Sequence, residues 1–260
     1  MKRYNVKGLF FTDSNFFVNL HRGRFILEGM IKEGLNISIS KINIDFLTLL
    51  RMEEKDFALL QRAHCRHLQI AVESGSERIL DLLKKPVDVQ QVLKVNHYLK
   101  KFDMAPYYAF IMGFPTETEE DLNKSVSLAL KLLEENPKAE TTFNIFTPYP
   151  GTELFDITVR HGLHVPERVK DWASFNYRNL VQGAPWLSKK MRHIVEMLDF
   201  CNFFVGKRIF RQPYAKPNLL VSLLCNVYAP MARKRMEYLW SRFPIEIKLA
   251  KLLRLYARQD

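Results

Sequence analysis

The stretch LQIAVESGSERIL, residues 68–80, decides the fold class of this chain. Its apolar run Leu68–Val72 is typical of a short buried strand, and the polar residues from Glu73 to Ser76 are typical of a turn that opens a helix. Five such pairs of a strand and a helix predict an α/β fold with parallel strands, as a barrel, a part-barrel or a doubly wound sheet. The other four predicted strands are residues 6–12, 37–44, 107–112 and 141–147.

Polar segments follow the predicted strands at the points where the strands end. In a parallel array of strands and helices the ligand binds at that end, so these segments are the candidate site. Together they offer carboxylates, hydroxyls and open backbone groups, which suit a polar ligand that carries hydroxyls, although each one alone is also explained as a helix cap or a turn. The segments are residues 13–15, 73–76, 113–117 and 148–152.

Composition limits the class of protein further. The chain has 260 residues, 47% hydrophobic and 26% charged, which fits one domain with an appendage. Its three cysteines exclude a disulfide scaffold and predict a reducing, cytoplasmic location. Residues 186–260 contain 15 Lys and Arg against 5 Asp and Glu, so they carry almost all of the net charge of +11.

Four motifs resemble the radical S-adenosylmethionine (SAM) superfamily, in the order in which that family carries them. They cover roughly residues 8–160 and resemble most closely the branch that often has a cobalamin-binding domain upstream. The resemblance implies a partial (β/α) TIM-like barrel at residues 1–165, a connecting segment at 166–187 and a basic helical region at 188–260. The motifs are LFFTDSNFFVN (9–19), LQIAVESGSERIL (68–80), YAFIMGFPTETEEDL (108–122) and FNIFTPYPGTELF (143–155).

The resemblance also implies cofactors and a class of reaction. In the family, three cysteines in a CxxxCxxC loop hold a [4Fe–4S] cluster, whose open iron chelates SAM and cleaves it reductively to a 5′-deoxyadenosyl radical. The implied cofactors are therefore SAM, the [4Fe–4S] cluster and, in this branch, cobalamin. The implied reactions are methyl transfer, cyclisation or rearrangement, on a small-molecule or lipid-like substrate.

Six residues are implied as the wall that holds SAM. A carboxylate suits the ammonium group or a ribose diol, and a glycine permits close approach of the backbone to a flat ring. Neither a catalytic acid or base nor a metal ligand is implied. The six are Asp13 for the methionyl amino group, Glu73 and Ser74 for the ribose hydroxyls, Gly113 for backbone approach to adenine, and Ile145 and Pro148 beside the adenine.

The cysteines depart from the family pattern. Cys65, Cys201 and Cys225 are not spaced as CxxxCxxC, and the first motif resembles the family's second strand rather than its first. Two interpretations stay open: an N-terminally truncated radical SAM enzyme, or a cluster-free scaffold that binds a membrane or a partner. Both predict that this chain alone is inactive and assembles no cluster.

Two histidine-containing segments could be taken for metal sites. His64 and His67 flank Cys65, and His161 and His164 lie on either side of Gly162. A zinc site needs about four ligands and a second paired element, which neither segment has nearby. Both are interpreted as helix ends, where histidine is favoured by the helix dipole.

The basic C-terminal region predicts three helices, at 188–210, 219–240 and 246–258. Its charge leaves three interpretations: a solvated face on an appendage, a contact with anionic lipid that would make the protein peripheral to the membrane, or nucleic-acid binding. The last is least favoured, because no RNA-binding motif accompanies the charge. The aromatic residues before the region are interpreted as packing, or as a cover over the barrel end, and are Trp172, Phe175, Tyr177 and Trp186.

Overall fold

A parallel β-sheet with helices along one face forms the centre of the computed structural model. The structure describes residue 6 and residues 8–174, 184–206 and 219–252. The strands are β1 (Gly8–Leu9), β2 (Ser38–Ile39), β3 (Ile42–Asp45), β4 (His67–Glu73), β5 (Ala105–Met112) and β6 (Glu140–Ile145).

The strands follow one another in the sheet in chain order. β1 pairs with β2, and β3, β4, β5 and β6 form a second run in which every pairing is parallel. A bridge between Ile39 and Cys65 joins the two runs. β2 and β3 therefore occupy the place of the single strand predicted at 37–44, which is interrupted at Ser40 and Lys41.

Helices connect the strands, as the parallel order requires. The C-terminal region adds three more helices, and a 3₁₀ helix at Val169–Ser174 precedes them. The helices are α1 (Leu20–Lys32), α2 (Phe46–Leu50), α3 (Glu54–Arg62), α4 (Glu77–Leu82), α5 (Val89–Leu99), α6 (Glu119–Glu135), α7 (Glu153–Arg160), α8 (Lys189–Val205), α9 (Leu219–Glu237) and α10 (Ile245–Leu252).

The start of α6 lies two residues later than the sequence pattern suggests. The segment from Thr116 to Glu119 predicts a capping box, whereas the observed box joins Thr118 to Asp121. Thr116 has a φ of +69°, a left-handed conformation that no residue inside a capping box adopts, because the chain turns there after β5. The predicted box at Thr116 was therefore wrong, and Thr118 is the cap.

The core lies between the sheet and the helices. Alternate strand residues face the helices and are fully buried, among them Leu68, Ile70 and Val72 on β4. On the neighbouring strands Phe110 and Phe143 stack with ring centroids 5.1 Å apart and planes 17° apart. One continuous buried cluster includes these side chains and extends to α8 and α9.

Helix α8 covers the outer edge of β6. The Asn202 amide donates to the Thr141 carbonyl at 3.3 Å, and the Thr141 hydroxyl donates to Asn202 Oδ1 at 3.1 Å. The approach needs glycine at the helix end, since a Cβ on Gly206 would lie 2.5 Å from the Thr141 carbonyl oxygen. The basic C-terminal region is thus packed against the sheet through its first helix.

The three predicted C-terminal helices are observed with different ends. The first begins after the Ser188 cap and ends at Val205, and the second ends at Glu237 with Pro230 inside it. The third is described to Leu252, and the rest of its predicted length to Arg258 lies outside the described residues, as do Phe175 and Tyr177. Within the described ranges, no helix combines the length and apolar character needed to cross a membrane.

Candidate functional site

The face of the sheet opposite the helices is polar. Residues on β3, β4, β5 and β6 alternate in direction, so that each residue between two core positions points to this inner face. The strand register places Asn43, Gln69, Tyr107 and Glu140 side by side across it. The next row towards the strand ends is Asp45, Ala71, Ala109 and Thr142. These two rows line the floor of the strand-end site.

Several polar atoms of this floor are buried without a hydrogen-bond partner in the described part of the chain. They include Asn43 Oδ1, Gln69 Oε1 and Thr142 Oγ1, and Thr142 is only 1% exposed. Buried polar groups are normally satisfied, and Asn43 and Gln69 present acceptors here. The floor is therefore complementary to water or to a ligand that donates hydrogen bonds.

His67 closes the floor at the start of β4. Its Nδ1 lies 2.8 Å from the Ser40 carbonyl oxygen, to which a protonated Nδ1 donates. Its Nε2 lies 3.5 Å from Glu140 Oε2 on β6. His64, by contrast, lies just after α3 with a φ of +58°, and Cys65 is buried. His67 therefore contacts the floor, whereas His64 lies in the turn after α3.

Glu73 ends β4 in a strained conformation. Its φ is +70°, which is costly for a residue with a Cβ, and the pairing with β5 shifts register between Ala71 and Glu73. Its carboxylate is largely buried and lies 3.5 Å from the Lys85 ammonium. Burial raises the pKa of Glu73 above its ordinary value, and Lys85 partly opposes that rise. The bulge and the turn thus hold a carboxylate at the strand end.

Ser74 anchors the turn that follows Glu73. Its side chain is fully buried, and its hydroxyl lies 2.9 Å from the Ser125 hydroxyl on α6. Ser125 also accepts from the Gly75 amide at 2.9 Å, and a Cβ on Gly75 would lie 2.5 Å from the Lys124 carbonyl oxygen. The turn therefore rests directly on the backbone of α6, and the Ser74 hydroxyl supports the turn.

A second set of contacts fixes the end of this turn, at Ser76 and Arg78. The Ser76 hydroxyl donates to the Asp121 carboxylate at 2.5 Å, and the Arg78 guanidinium also bonds that carboxylate. These donors and the Thr118 hydroxyl hold the pKa of Asp121 well below its ordinary value despite its burial. Asp121 thus joins the turn after β4 to the start of α6.

Gly113 directly follows β5 and has a φ of +83°, a conformation that glycine adopts without strain. Its amide donates to the Glu117 carboxylate, and its carbonyl accepts from Trp186 Nε1 at 2.9 Å. Burial raises the pKa of Glu117 to about 8. The hydrogen bonds that its carboxylate accepts from the Gly113 and Phe114 amides partly oppose this rise. Both backbone groups of Gly113 are therefore already bonded within the chain.

The remaining predicted site residues lie on neighbouring elements. Ile145 is the last residue of β6 and pairs with Met112, while Pro148 is buried in the following turn. Asp13 follows β1, where its carboxylate forms an ion pair with Arg22 at 3.1 Å and its carbonyl accepts from the Asn43 amide at 2.8 Å. The topology thus brings Glu73, Gly113 and Ile145 to the same end of adjacent strands.

Sequence reasoning missed the inner floor, whereas Glu117 lies within the predicted strand-end segment 113–117. The signal for Gln69 was present, because it alternates with Leu68 and Ile70 in a strand that was interpreted as wholly apolar. Thr142 and Asn43 alternate with core residues in the same way. Trp186 is placed at the strand ends, where its ring packs edge-on against Phe146 with centroids 6.2 Å apart.

The residues that the structure describes do not fit an iron–sulfur cluster. Cys65 lies before β4 and Cys201 lies on α8 with its Sγ 3.8 Å from the Tyr228 hydroxyl, and burial raises the pKa of each thiol to about 12. Cluster ligands are thiolates, which burial of this kind disfavours. Among the described residues, no group of three or more His, Cys, Asp or Glu could hold a metal ion.

The residues fit SAM better than they fit the cluster. A largely buried carboxylate at the end of β4 can accept from a diol. The glycine after β5 offers no such space, because a Cβ on Gly113 would lie 3.5 Å from Leu187 and 3.9 Å from Val195, both of which are buried. The carboxylate of Asp13 is half-exposed at the end of the first described strand. None of these contacts requires a metal ligand from this chain.

Comparison with known proteins places the chain in a family. The Radical SAM superfamily model matches residues 1–129. An uncharacterized methyltransferase of Pyrococcus horikoshii is 31% identical over 62% of this chain and 33% of its own length. The anaerobic magnesium-protoporphyrin IX monomethyl ester cyclase of Rubrivivax gelatinosus is 24% identical over 78% of this chain and 36% of its own length. The chain spans about a third of the length of these relatives.

A solved structure supports the fold. The radical S-adenosylmethionine methyltransferase TsrM from Kitasatospora setae, with cobalamin and a [4Fe–4S] cluster bound, superposes with a TM-score of 0.51. The match covers 64% of this chain and 33% of that one at 14% identity, which supports the partial TIM-like barrel architecture alone. With the parallel strands, the strand-end motifs and the family match taken together, residues 1–129 of the chain belong to the radical SAM superfamily.

Proposed function

We propose that the ends of β4, β5 and β6 bind SAM, with Glu73 accepting hydrogen bonds from the ribose hydroxyls. The observation that carries this proposal is the Glu73 carboxylate, which is held near the strand end by a backbone φ of +70°. A strained residue persists only where its surroundings determine it, and such residues cluster at ligand sites. The proposal follows the family membership and the buried position of this side chain.

The other residues divide into contacts and supports. Asp13, oriented by Arg22, is proposed for the methionyl amino group, and Gly113 with Ile145 and Pro148 for the adenine side. Because the backbone of Gly113 is bonded to Glu117 and Trp186, this contact with adenine would be one of shape rather than of hydrogen bonding. Ser74 is proposed to act near the ribose by fixing the turn that carries Glu73.

The proposed reaction is a radical SAM reaction such as methyl transfer or cyclisation. When bound, SAM supplies the methyl group or the radical, and the polar floor orients the other reactant through Asn43, Gln69 and Thr142. A methyltransferase and a cyclase among the relatives support this range of reactions. The reaction also needs a [4Fe–4S] cluster, for which the described residues form no site, and the relative TsrM binds cobalamin in addition.

The Glu73→Ala variant tests the SAM site. We expect its affinity for SAM to fall by about tenfold or more, since a charge-assisted hydrogen bond contributes about 1.5–3 kcal/mol. Isothermal titration calorimetry of SAM into the full chain measures this change. Glu77→Ala is the matched control, because Glu77 is exposed at the start of α4 four residues later. Equal affinity in both variants, with both folded by circular dichroism, would contradict the assignment.

The second candidate function is a cluster-free binding protein, and the buried thiols favour it for this chain alone. We expect anaerobic reconstitution with iron and sulfide to leave the chain colourless, because neither described thiol is accessible as a thiolate. Absorption and electron paramagnetic resonance spectroscopy measure the outcome. A brown protein with one [4Fe–4S] cluster per chain would show that the cysteines here suffice and would remove this candidate.

A further inference from the structure

Large apolar side chains are exposed on one part of the C-terminal region. Phe243 and Tyr238 are each 74% exposed, and Ile245 is 70% exposed. Such a concentration of apolar surface marks an interaction site more often than a solvated face. We call the set the C-terminal apolar face, and its members are Val227, Met231, Tyr238, Trp240, Phe243 and Ile245.

The helical members of this face lie along one side of α9. Val227 and Met231 are four residues apart, and Tyr238, whose amide continues the helical bonding to the Lys234 carbonyl, follows seven residues later. These spacings put all three on the same side of a helix. The buried residues Ala232 and Met236 face the core from the opposite side. The stripe is therefore an outward face of a helix whose inward face is already packed.

The remaining members are presented by a turn that one buried arginine organises. Arg235 is only 5% exposed and donates to the carbonyls of Trp240, Arg242 and Phe243 at 2.8 to 3.1 Å. It also pairs with Glu246, and its guanidinium lies 4.5 Å from the centre of the Trp240 ring. Leu239 and Phe243 have positive φ values of 47° and 52°. The exposed aromatic residues thus stand on a turn that is fixed before any partner arrives.

Basic side chains surround the face. Lys234, Arg242 and Lys248 are exposed beside its members, whereas Glu237 is the exposed acidic residue of the same part of the helix. Residues 186–260 carry a net charge of +10, from 15 Lys and Arg and 5 Asp and Glu. Aromatic and aliphatic side chains with Lys and Arg beside them are the composition of a surface that lies in the interface of an anionic bilayer.

We propose that the C-terminal apolar face binds the surface of a membrane that contains anionic lipid. The aliphatic members Val227, Met231 and Ile245 favour a bilayer over a nucleic acid, because they offer no stacking surface and no hydrogen bond to a base or phosphate. The contact would be interfacial: Tyr238, Trp240 and Phe243 enter the headgroup region while Lys234, Arg242 and Lys248 meet lipid phosphates. This surface is separate from the strand-end site.

Co-sedimentation of the full chain with phosphatidylcholine vesicles, with and without phosphatidylserine, tests the proposal. We expect binding that requires phosphatidylserine and that persists in part at high salt. The triple variant Tyr238→Ser, Phe243→Ser and Ile245→Ser should bind about tenfold more weakly, because three exposed apolar side chains no longer enter the interface. Phe25→Ser is the matched control, since Phe25 is 71% exposed on α1, far from this region in the chain.

Charge variants complete the test. Lys234→Gln, Arg242→Gln and Lys248→Gln together should weaken binding to anionic vesicles about tenfold, while Lys32→Gln and Lys94→Gln should not. Thermal unfolding confirms that each variant is folded. The proposal is overturned if anionic vesicles bind no protein, or if the serine variant binds as well as wild type. Tighter binding to single-stranded RNA than to vesicles, abolished by salt, would overturn it in favour of a nucleic acid.

Discussion

Replacing Phe110 by alanine should lower the free energy of unfolding by about 3–5 kcal/mol, the usual cost of removing a buried phenyl ring. Phe110 lies on β5, between β4 and β6, and is fully buried against Phe143. The cavity would open where the sheet meets the helices and where little can move to fill it. Urea unfolding followed by circular dichroism measures the change.

The control for this prediction is Phe25→Ala. The same ring is removed from α1, where Phe25 is 71% exposed, so a change within about 0.5 kcal/mol is expected. Because a domain is stable by only about 5–15 kcal/mol, the Phe110 variant should also unfold markedly earlier on heating. If both variants unfold at the same urea concentration, the stacked pair does not form part of the folded core.

Replacing Asp121 by alanine should lower the free energy of unfolding by about 2–3 kcal/mol at neutral pH. Asp121 is 3% exposed and accepts from Ser76, Arg78 and Thr118, all of which would lose this acceptor. Glu120→Ala is the matched control in the same first turn of α6, because Glu120 is exposed and pairs with Lys124 at the surface.

The dependence on pH gives this prediction its sign. The folded state holds the pKa of Asp121 below its value in the unfolded chain, so its stabilising effect is present above about pH 4. The effect is lost as the pH falls further and the folded carboxylate takes up a proton. The stability difference between wild type and Asp121→Ala should therefore narrow in acid. A difference that stays constant from neutral pH to about pH 2 would contradict the proposed carboxylate network.

Much of the strand-end site could be predicted because its signals are local. The apolar run Leu68–Val72 and the polar turn after it gave β4 and the turn at Glu73, and the motif at Gly113 gave the end of β5. Parallel strands bring their ends together regardless of the details of the loops. The family membership followed from the same segments.

What could not be predicted depends on contacts between distant residues. Ser74 faces Ser125, which is 51 residues away, so nothing in its own segment shows that its hydroxyl supports the turn. The cover over β6 comes from Asn202, 61 residues after Thr141. The turn around Arg235 is similar, since a buried arginine bonded to three carbonyls cannot be distinguished in the sequence from the basic residues beside it.

The conformation of Glu73 implies a trade-off between the thermal stability of the protein and its affinity for a ligand. At a φ of +70°, glycine or asparagine would relieve the backbone and stabilise the fold, yet either would remove the carboxylate. Selecting variants for heat resistance alone would therefore favour a protein that has a higher melting temperature and a lower affinity for its ligand. An engineering campaign on this barrel should keep position 73 unchanged and seek its gains elsewhere, for instance at exposed positions of α1 and α5.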